Sequence, residues 1–290
     1  MKGPATPSSP AHRRVEIDAL RDAGHVHRGD PVAVEEPLEI RLLRQGSADN
    51  GGTGHSVSIT MRTPGNDAEL ALGFLYGEGI LRESRDVLDA RHCGVSGNVL
   101  RVTVRADLPF DLKRLERNFY TTSSCGVCGK ASIDAVTASL GMRTIHSNLL
   151  VDQALLKTLP DKLRESQTGF AETGGMHAVG LFDADGERVA SYEDVGRHNA
   201  MDKLVGASML SGRLPWTHHI VLLSGRASFE LLQKAMMAGV PVVAAIGAPS
   251  TLALELAHAA GITLIAFLRG AGCNIYCHPE RVRPEGRREQ

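Results

Sequence analysis

Two cysteines separated by two residues, Cys125 and Cys128, are the strongest chemical signal in this sequence. They lie in the run TTSSCGVCGKASIDAV, directly before a predicted helix in which Ile133, Val136 and Leu140 recur at helical spacing. A helix N-terminus lowers the pKa of a cysteine, because its free N–H groups and dipole favour negative charge. A glycine follows each cysteine and a lysine follows the pair, so a reactant can approach closely and a thiolate is favoured. We therefore predict an exposed loop that carries a reactive thiolate.

Other interpretations of the cysteine pair stay open at this stage. A structural zinc site needs two more ligands, for which the sequence offers Cys273, Cys277 and His278, but their CxxxCH spacing is not that of a usual zinc knuckle. A thioredoxin-like redox centre needs a βαβ unit around it, and none is predicted before the pair. Zinc deaminases place His-x-Glu before their cysteines, whereas His177 follows the pair here and has no glutamate two residues later. Cys93, within a predicted strand, is interpreted as an inert core thiol.

A second group of polar residues lies in SYEDVGRHNAMDKLVG. Its charged and amide side chains are those of Glu193, Asp194, Arg197, His198, Asn199, Asp202 and Lys203. Asp194 is predicted to cap the helix that follows, and the other residues fit a solvated helix face and a binding site equally well. Arg197 and His198 come directly after a glycine at the predicted helix start, where they would suit an anion.

Small residues follow three predicted strands in the second half, in the runs LLSGRASFE, AIGAPST and FLRGAGCN. We expect each run to lead from a parallel strand into a helix and to expose N–H groups that can hold phosphate. Ligands of open α/β sheets bind beyond the carboxyl ends of the strands. Ser224, Gly225 and Arg226 in the first run and Arg269 in the third would therefore contact a nucleotide-like ligand, with the arginines binding phosphate through forked contacts.

The elements that position these residues form an α/β protein. From His219 onward, strands and helices alternate, which predicts parallel strands, and HAVGLFDADGERVASYED predicts a hairpin with its turn at Asp183 to Gly186. Before the cysteine pair, the alternating runs HSVSITMR and NVLRVTVR predict a β-rich region with one helix in NDAELALGFLYGEGIL. We divide the chain into a disordered tail over 1–28, a β-rich domain over 29–115 and an α/β domain over 116–290 that carries the cysteine loop.

The composition excludes several classes of protein. The chain has 290 residues, 42% of them hydrophobic, and a formal net charge of −1, so it is not expected to bind nucleic acid or an anionic membrane. Its apolar runs are far shorter than the roughly 20 residues that cross a bilayer. Five cysteines without a secretory signal indicate reduced thiols and a cytoplasmic protein.

Six segments together resemble the formate dehydrogenase accessory sulfurtransferase (FdhD) family: SSCGVCGKASID, TGGMHAVGLF, YEDVGRHNAMDKLVG, LSGRASFELLQKA, IGAPSTLALELA and NIYCHPER. The resemblance extends from about Val32 to Arg281 and is most specific in the second half. It implies a C-terminal domain with a cytidine-deaminase-like α/β fold, and a homodimer.

The resemblance also implies a function. Members of the family accept sulfane sulfur from a cysteine desulfurase as a cysteine persulfide. They transfer it to the molybdenum of the bis(molybdopterin guanine dinucleotide) cofactor, and formate dehydrogenase requires that step. Cys125 would carry the persulfide, with Cys128 as helper or alternative carrier. The cofactor, a bound substrate and not a permanent group, would contact Phe267, Leu268, Arg269, Gly270, Ala271 and Gly272 through its guanine nucleotide part.

A competing hypothesis is a non-catalytic chaperone that shelters the molybdenum cofactor and uses the cysteine pair structurally, for example around zinc. A zinc hydrolase or deaminase is a third hypothesis, which the missing His-x-Glu weakens. Labelled sulfur retained on the protein would distinguish the sulfurtransferase from both.

Overall fold

The computed structural model describes residues 11–22, 24–47, 52–94, 97–110, 144–270 and 272–284. Cys125, Cys128 and the helix predicted after them lie outside the described residues, as does the predicted domain boundary near residue 115. Within the described ranges, no helix is both long enough and apolar enough to span a membrane.

The described elements alternate strands and helices along the chain. The strands are β1 (His12–Arg21), β2 (Gly24–Ala33), β3 (Glu36–Arg44), β4 (His55–Arg62), β5 (Val87–His92), β6 (Val99–Val104), β7 (Val151–Asp152), β8 (His177–Phe182), β9 (Arg188–Asp194), β10 (Ile220–Leu223), β11 (Val242–Ala245), β12 (Thr263–Arg269), β13 (Gly272–Cys277) and β14 (Val282–Arg283). The helices are α1 (Asp67–Gly77), α2 (Gln153–Arg164), α3 (Thr168–Thr173), α4 (Arg197–Leu210), α5 (Phe229–Met237) and α6 (Thr251–Ala260), with 3₁₀ turns at Ser84–Asp86 and Pro279–Arg281.

The main sheet has six strands in the order β13-β12-β11-β10-β8-β9. Strands β10, β11 and β12 are parallel, whereas β8, β9 and β13 pair with their neighbours antiparallel. The central strands Ile220–Leu223 and Val242–Ala245 are fully apolar and buried along their length, as expected for strands covered on both faces. The predicted α/β class and the predicted parallel order of these strands are confirmed.

A second sheet of four strands, β4-β3-β6-β5, forms most of the first half. Alternate residues of its central strands point into the core and are at most 1% exposed: Leu38, Ile40, Leu42, Leu100, Val102 and Val104. The predicted strand in NVLRVTVR is confirmed as β6, which pairs antiparallel with β5. The helix in this half begins after Asn66 and ends at Gly77, as the sequence predicts.

The two halves share one hydrophobic core. A single cluster of buried residues includes Leu38 and Val102 from the small sheet together with Val221 and Leu264 from the main sheet. Helices α1 and α4 join the halves at close range, because a Cβ atom on Gly206 would lie 1.9 Å from the carbonyl oxygen of Glu69. The regions before and after the predicted boundary are thus packed as one body.

The predicted disordered tail over 1–28 is wrong from His12 onward. Strands β1 and β2 form an antiparallel hairpin with ten paired positions, from His12 with Ala33 to Arg21 with Gly24. Its sequence signal is the alternation of Val15, Ile17 and Ala19 on one face of β1, which the surrounding charged residues obscure. Helix α3 lies against β2 and supports the hairpin.

The expectation that all three strand-end runs open into helices is also wrong for the third. After β10 and β11 the chain does enter helices α5 and α6, but after β12 it turns back into the antiparallel edge strand β13. Gly270, with φ of 58°, lies in this turn. Phe267 to Arg269 are thus the end of β12 and Gly272 is the start of β13, so the described residues of FLRGAG offer no helix N-terminus to a phosphate.

Candidate functional site

The loops that follow β10 and β11 meet the last residues of β12 at the carboxyl ends of these strands. The Ser224 backbone N–H donates to Ala178 O at 3.0 Å, and the Ser224 hydroxyl accepts from the Ala178 N–H at 2.8 Å. Gly247 N–H donates to Gly225 O at 2.9 Å, and Phe267 N–H donates to Gly247 O at 3.2 Å. These bonds tie the loops side by side along the edge where open α/β sheets bind ligands.

Glycine is required at Gly225 and Gly247 because the loops approach so closely. A Cβ atom on Gly247 would lie 2.7 Å from Gly225 O, and one on Gly225 would lie 3.3 Å from His177 Nδ1. The structure thus gives these small residues a steric role, whereas their predicted role in exposing N–H groups to phosphate stays a prediction. Arg226 is exposed directly beyond them.

Helix α4 brings Arg197 and His198 to the same edge. Its N-terminus is fixed by Asp194, which is fully buried and pairs with the Lys203 ammonium at 2.7 Å. Asp194 also accepts hydrogen bonds from the backbone N–H groups of Thr63 and Gly196. The helix cap itself is Gly196, so the prediction that Asp194 is the cap is wrong, although Asp194 holds the capping residue.

The buried members of this polar block are structural. Asn199 donates from Nδ2 to Met61 O at 2.7 Å, and Lys203 donates to Thr63 O at 2.9 Å, so both fasten α4 to the end of β4. Asp202 pairs with Lys234 on α5 at 2.7 Å, and burial raises the pKa of Asp202 to about 6 against the attraction of Lys234. A solvated helix face is thereby excluded for these three residues.

His198 contacts the start of helix α5. Its Nε2 atom lies 2.9 Å from Glu230 Oε2 and 3.2 Å from Ser228 Oγ. The hydrogen bond from His198 lowers the pKa of Glu230, and the charge of Arg197 acts in the same direction. Arg197 has its Nε atom buried without a hydrogen-bond partner among the described residues. The predicted position of both residues at a helix start is confirmed.

His177 lies close to these residues, although sequence reasoning used it only to argue against a deaminase. It is the first residue of β8 and is paired with Asp194 of β9. Burial lowers the pKa of His177, and the charges of Arg197 and His198 lower it further. Its signal in the sequence is a histidine directly before a buried strand, at the end of TGGMH.

The stretch Phe267 to Gly272 lies at the far end of this edge. Phe267 adopts a left-handed φ of 53° at an irregularity between β12 and β13, and its side chain is 37% exposed. Such a backbone conformation is unusual for a bulky residue and marks strain that the surrounding structure must hold. The Arg269 guanidinium lies 5.8 Å from the Phe267 ring centroid.

The remaining members of that stretch differ in what they can contact. Leu268 is 1% exposed and packs in the core, so it can offer a ligand only its backbone. Gly270 and Gly272 are exposed, and Ala271 lies outside the described residues. Of the predicted cofactor contacts in this stretch, Phe267 and Arg269 can therefore offer exposed side chains. The two glycines can allow a ligand to approach the backbone closely.

Among the described residues, the structure gives Cys273 and Cys277 no feature that would activate their thiols. Burial raises the pKa of both Cys273 and Cys277, and the Cys277 thiol lies 3.6 Å from Leu254 O. Cys93 lies just past the end of β5 and is partly exposed, so its prediction as a core thiol is wrong. Within the described ranges, no three histidine, cysteine or acidic side chains are grouped so as to hold a metal ion.

Fold and site together define an α/β protein whose main sheet carries arginine, histidine and closely packed glycines at the carboxyl ends of its strands. Sequence comparison identifies its family. The model of the FdhD/NarQ family matches residues 33–283, and the chain belongs to that family.

Individual relatives agree with this assignment. The sulfur carrier protein FdhD of Streptomyces coelicolor is 48% identical over 93% of this chain and 95% of its own length. The protein of the same name from Mycobacterium tuberculosis is 46% identical over 94% and 98%, and that from Saccharolobus solfataricus is 41% identical over 93% and 98%. A crystal structure of a protein from Desulfotalea psychrophila, described as a candidate formate dehydrogenase accessory protein, shares the fold with a TM-score of 0.72 and 23% identity, covering 94% of this chain and 100% of that one.

Proposed function

We propose that this protein is a sulfurtransferase that accepts sulfane sulfur from a cysteine desulfurase and delivers it to the molybdenum of a bis(molybdopterin guanine dinucleotide) cofactor for formate dehydrogenase. The observation that carries the proposal is membership of the FdhD/NarQ family over residues 33–283, a range that includes Cys125 and Cys128. Relatives above 40% identity carry the name sulfur carrier protein. We further propose that it acts in the cytoplasm as a homodimer.

The chemistry of loading needs one ionised thiol. The Cys125 thiolate attacks the outer sulfur of a persulfide on the desulfurase, a sulfur–sulfur bond breaks, and the desulfurase thiolate leaves. Cys125 then carries a persulfide. To release that sulfur as sulfide requires two electrons, which Cys128 can supply by forming a disulfide with Cys125.

The strand edge is the proposed binding site for the guanine nucleotide end of the cofactor. Arg197, His198, Arg226 and Arg269 supply positive charge along it, and the glycine loops allow close approach of a pyrophosphate. The ring of Phe267 provides an exposed aromatic face at one end. Together these groups support binding of a large anion that also carries aromatic rings.

The proposal is tested by following sulfur. The purified protein is incubated with a cysteine desulfurase and isotopically labelled cysteine, and the added sulfur is located by peptide mass spectrometry. We expect one added sulfur on the peptide that contains Cys125, none there in Cys125→Ala, and no change in Cys93→Ala, which removes a cysteine distant in sequence from the pair. Cells that carry Cys125→Ala should contain folded protein and inactive formate dehydrogenase.

The chaperone hypothesis predicts the opposite pattern. It expects bound zinc, no labelled sulfur on the wild-type protein, and full formate dehydrogenase activity with Cys125→Ala provided that the fold survives. Labelled sulfur on Cys273 or Cys277 instead of the pair would also refute the assignment of the carrier.

A separate measurement tests the proposed nucleotide-binding site. Arg226→Gln should weaken binding of GDP at least tenfold, because an exposed guanidinium that pairs with phosphate is lost. Arg85→Gln is the matched control, since Arg85 is an exposed arginine on the opposite half of the chain that pairs only with Glu83 among the described residues. If the two variants bind GDP with equal affinity, the proposed nucleotide-binding site is wrong.

A further inference from the structure

The imidazole of His177 lies at the strand edge with its hydrogen-bonding capacity unused. Among the described residues, no side chain or backbone group makes a hydrogen bond with this ring. Gly225 lies beside the ring and has no side chain. A Cβ atom at this position would lie 3.3 Å from His177 Nδ1. The ring is partly buried and borders Gly225 and the start of α4. It is therefore placed to contact a ligand that fills this edge.

The charges around His177 are predominantly positive. Helix α4 contributes Arg197 and His198, whose charges oppose a positive charge on the ring. The acidic residues close by are already committed to other partners. Asp194 pairs with Lys203, Glu230 pairs with His198, and Glu193 accepts the backbone N–H groups of Gly169 and Phe170.

We propose that His177 contacts the phosphates of the ligand and takes up one proton from solvent when an ionised pyrophosphate binds beside Arg197 and His198. Binding of the guanine dinucleotide is then coupled to proton uptake. This inference rests on the proposed function, because it assumes that the dinucleotide binds at this edge. No covalent bond forms or breaks, and the proton comes from the buffer.

The physical reason is a change in the balance of charge. Without ligand, burial and two neighbouring cations oppose a positive charge on the ring, so that its pKa lies below the ordinary value of histidine. Two phosphate charges reverse that balance and offer the ring N–H a charge-assisted hydrogen bond. By linkage, affinity then increases as pH falls, by at most about tenfold per pH unit for one proton.

The probe for this test is GDP-mannose, in which both phosphates are diesters that stay fully ionised near neutral pH. Any proton taken up must then go to the protein. Isothermal titration calorimetry at pH 7 in two buffers with different ionisation enthalpies, Tris and Hepes, gives the number of protons taken up. We expect a net uptake by the wild-type protein, and affinity that increases several-fold from pH 8 to pH 6.

His177→Gln removes the titrating ring and retains a hydrogen-bond donor. We expect this variant to bind GDP-mannose without proton uptake and with an affinity that is nearly independent of pH over this range. His25→Gln is the control, since His25 is an exposed histidine on the distant hairpin, and it should behave as the wild type does. Should His177→Gln fail to fold, NMR titration of the wild-type ring gives the same answer, with a pKa that increases when GDP-mannose is added.

The outcomes distinguish the two proposals. If the wild-type protein does not bind GDP-mannose, both the proposed nucleotide-binding site and this inference are wrong. Binding without proton uptake, uptake that persists in His177→Gln, or a ring pKa unchanged by ligand overturns the inference alone and leaves the proposed function standing.

Discussion

Residue types alone do not separate ligand contacts from structural contacts in the run EDVGRHNAMDK. Asp194, Asn199 and Lys203 are buried because Thr63 and Met61 of a strand more than 130 positions earlier in the chain bind them. Because these partners lie so far away in the sequence, the local run does not show which of its residues are buried. A solvated helix face and a binding site were therefore equally good interpretations. The position of Arg197 and His198 directly after Gly196, by contrast, was sufficient to predict that they lie at a helix start. Which polar residues become buried is a question of long-range packing.

At the residue scale, the charge of Arg197 should be measurable on His177. In the free protein we expect NMR titration to give His177 a pKa below 6.5, and Arg197→Gln should raise that pKa because one repelling cation is removed. A lowered histidine pKa contributes stability that is present above the unfolded value and is lost as pH falls through the folded value. Acidification just below pH 6.5 should therefore destabilise the wild-type protein more than Arg197→Gln.

Arg226→Gln is the matched control for that titration, since Arg226 is an exposed arginine at the same edge that contributes no shift to His177. An equal increase in both variants would mean that general charge, and not the neighbouring guanidinium, sets the protonation of the ring.

At the element scale, α1 and α4 depend on two glycines for their close approach. A Cβ on Gly206 would lie 1.9 Å from Glu69 O, and a Cβ on Gly73 would lie 1.9 Å from Asp202 O. Gly206→Ala forces the backbones apart, at a cost of about 3 kcal/mol for overpacking. Better helix propensity returns about 1 kcal/mol. We expect a net loss of about 2 kcal/mol in the free energy of unfolding, measured by urea denaturation.

Gly77→Ala is the control, since Gly77 lies on the same helix α1 but faces α5. Its Cβ would meet only side-chain atoms of Lys234, at 3.3 Å, and a side chain can shift where a backbone cannot. A loss for Gly77→Ala as large as that for Gly206→Ala would contradict the steric account of the helix contact.

The buried ion pair between Asp194 and Lys203 gives a second prediction at this scale. Asp194→Asn leaves the Lys203 ammonium buried without its counter-charge, which should cost about 3–5 kcal/mol in the free energy of unfolding. The surface pair between Lys162 and Glu187 has a similar distance of 2.7 Å but exposed side chains. Glu187→Gln should therefore cost less than about 1 kcal/mol. Similar losses for the two variants would mean that the end of α4 tolerates the change.

At the scale of the whole molecule, regular periodicity was sufficient to predict most of the fold. The continuous apolar runs of β10 and β11 and the alternation in β6 correspond to real strands, because burial on two faces or on one face dictates those patterns. The chain reversal after β12 was missed because Gly270 is compatible with a helix start as well as with a hairpin turn. The hairpin β1–β2 was missed because few of its side chains are buried.

The weak burial of that hairpin leads to a prediction about the whole chain. Ala19 is the one side chain of β1 that is buried, and the ion pair of His12 with Glu172 is exposed. The shared core begins at Leu38, and the family match begins at residue 33. A chain that starts at Val34 should therefore fold and unfold in a single transition, with a Tm within a few degrees of the full-length protein in calorimetry. Because the core spans both sheets, two separate transitions or a collapse of Tm would show that the hairpin stabilises the fold more than its burial indicates.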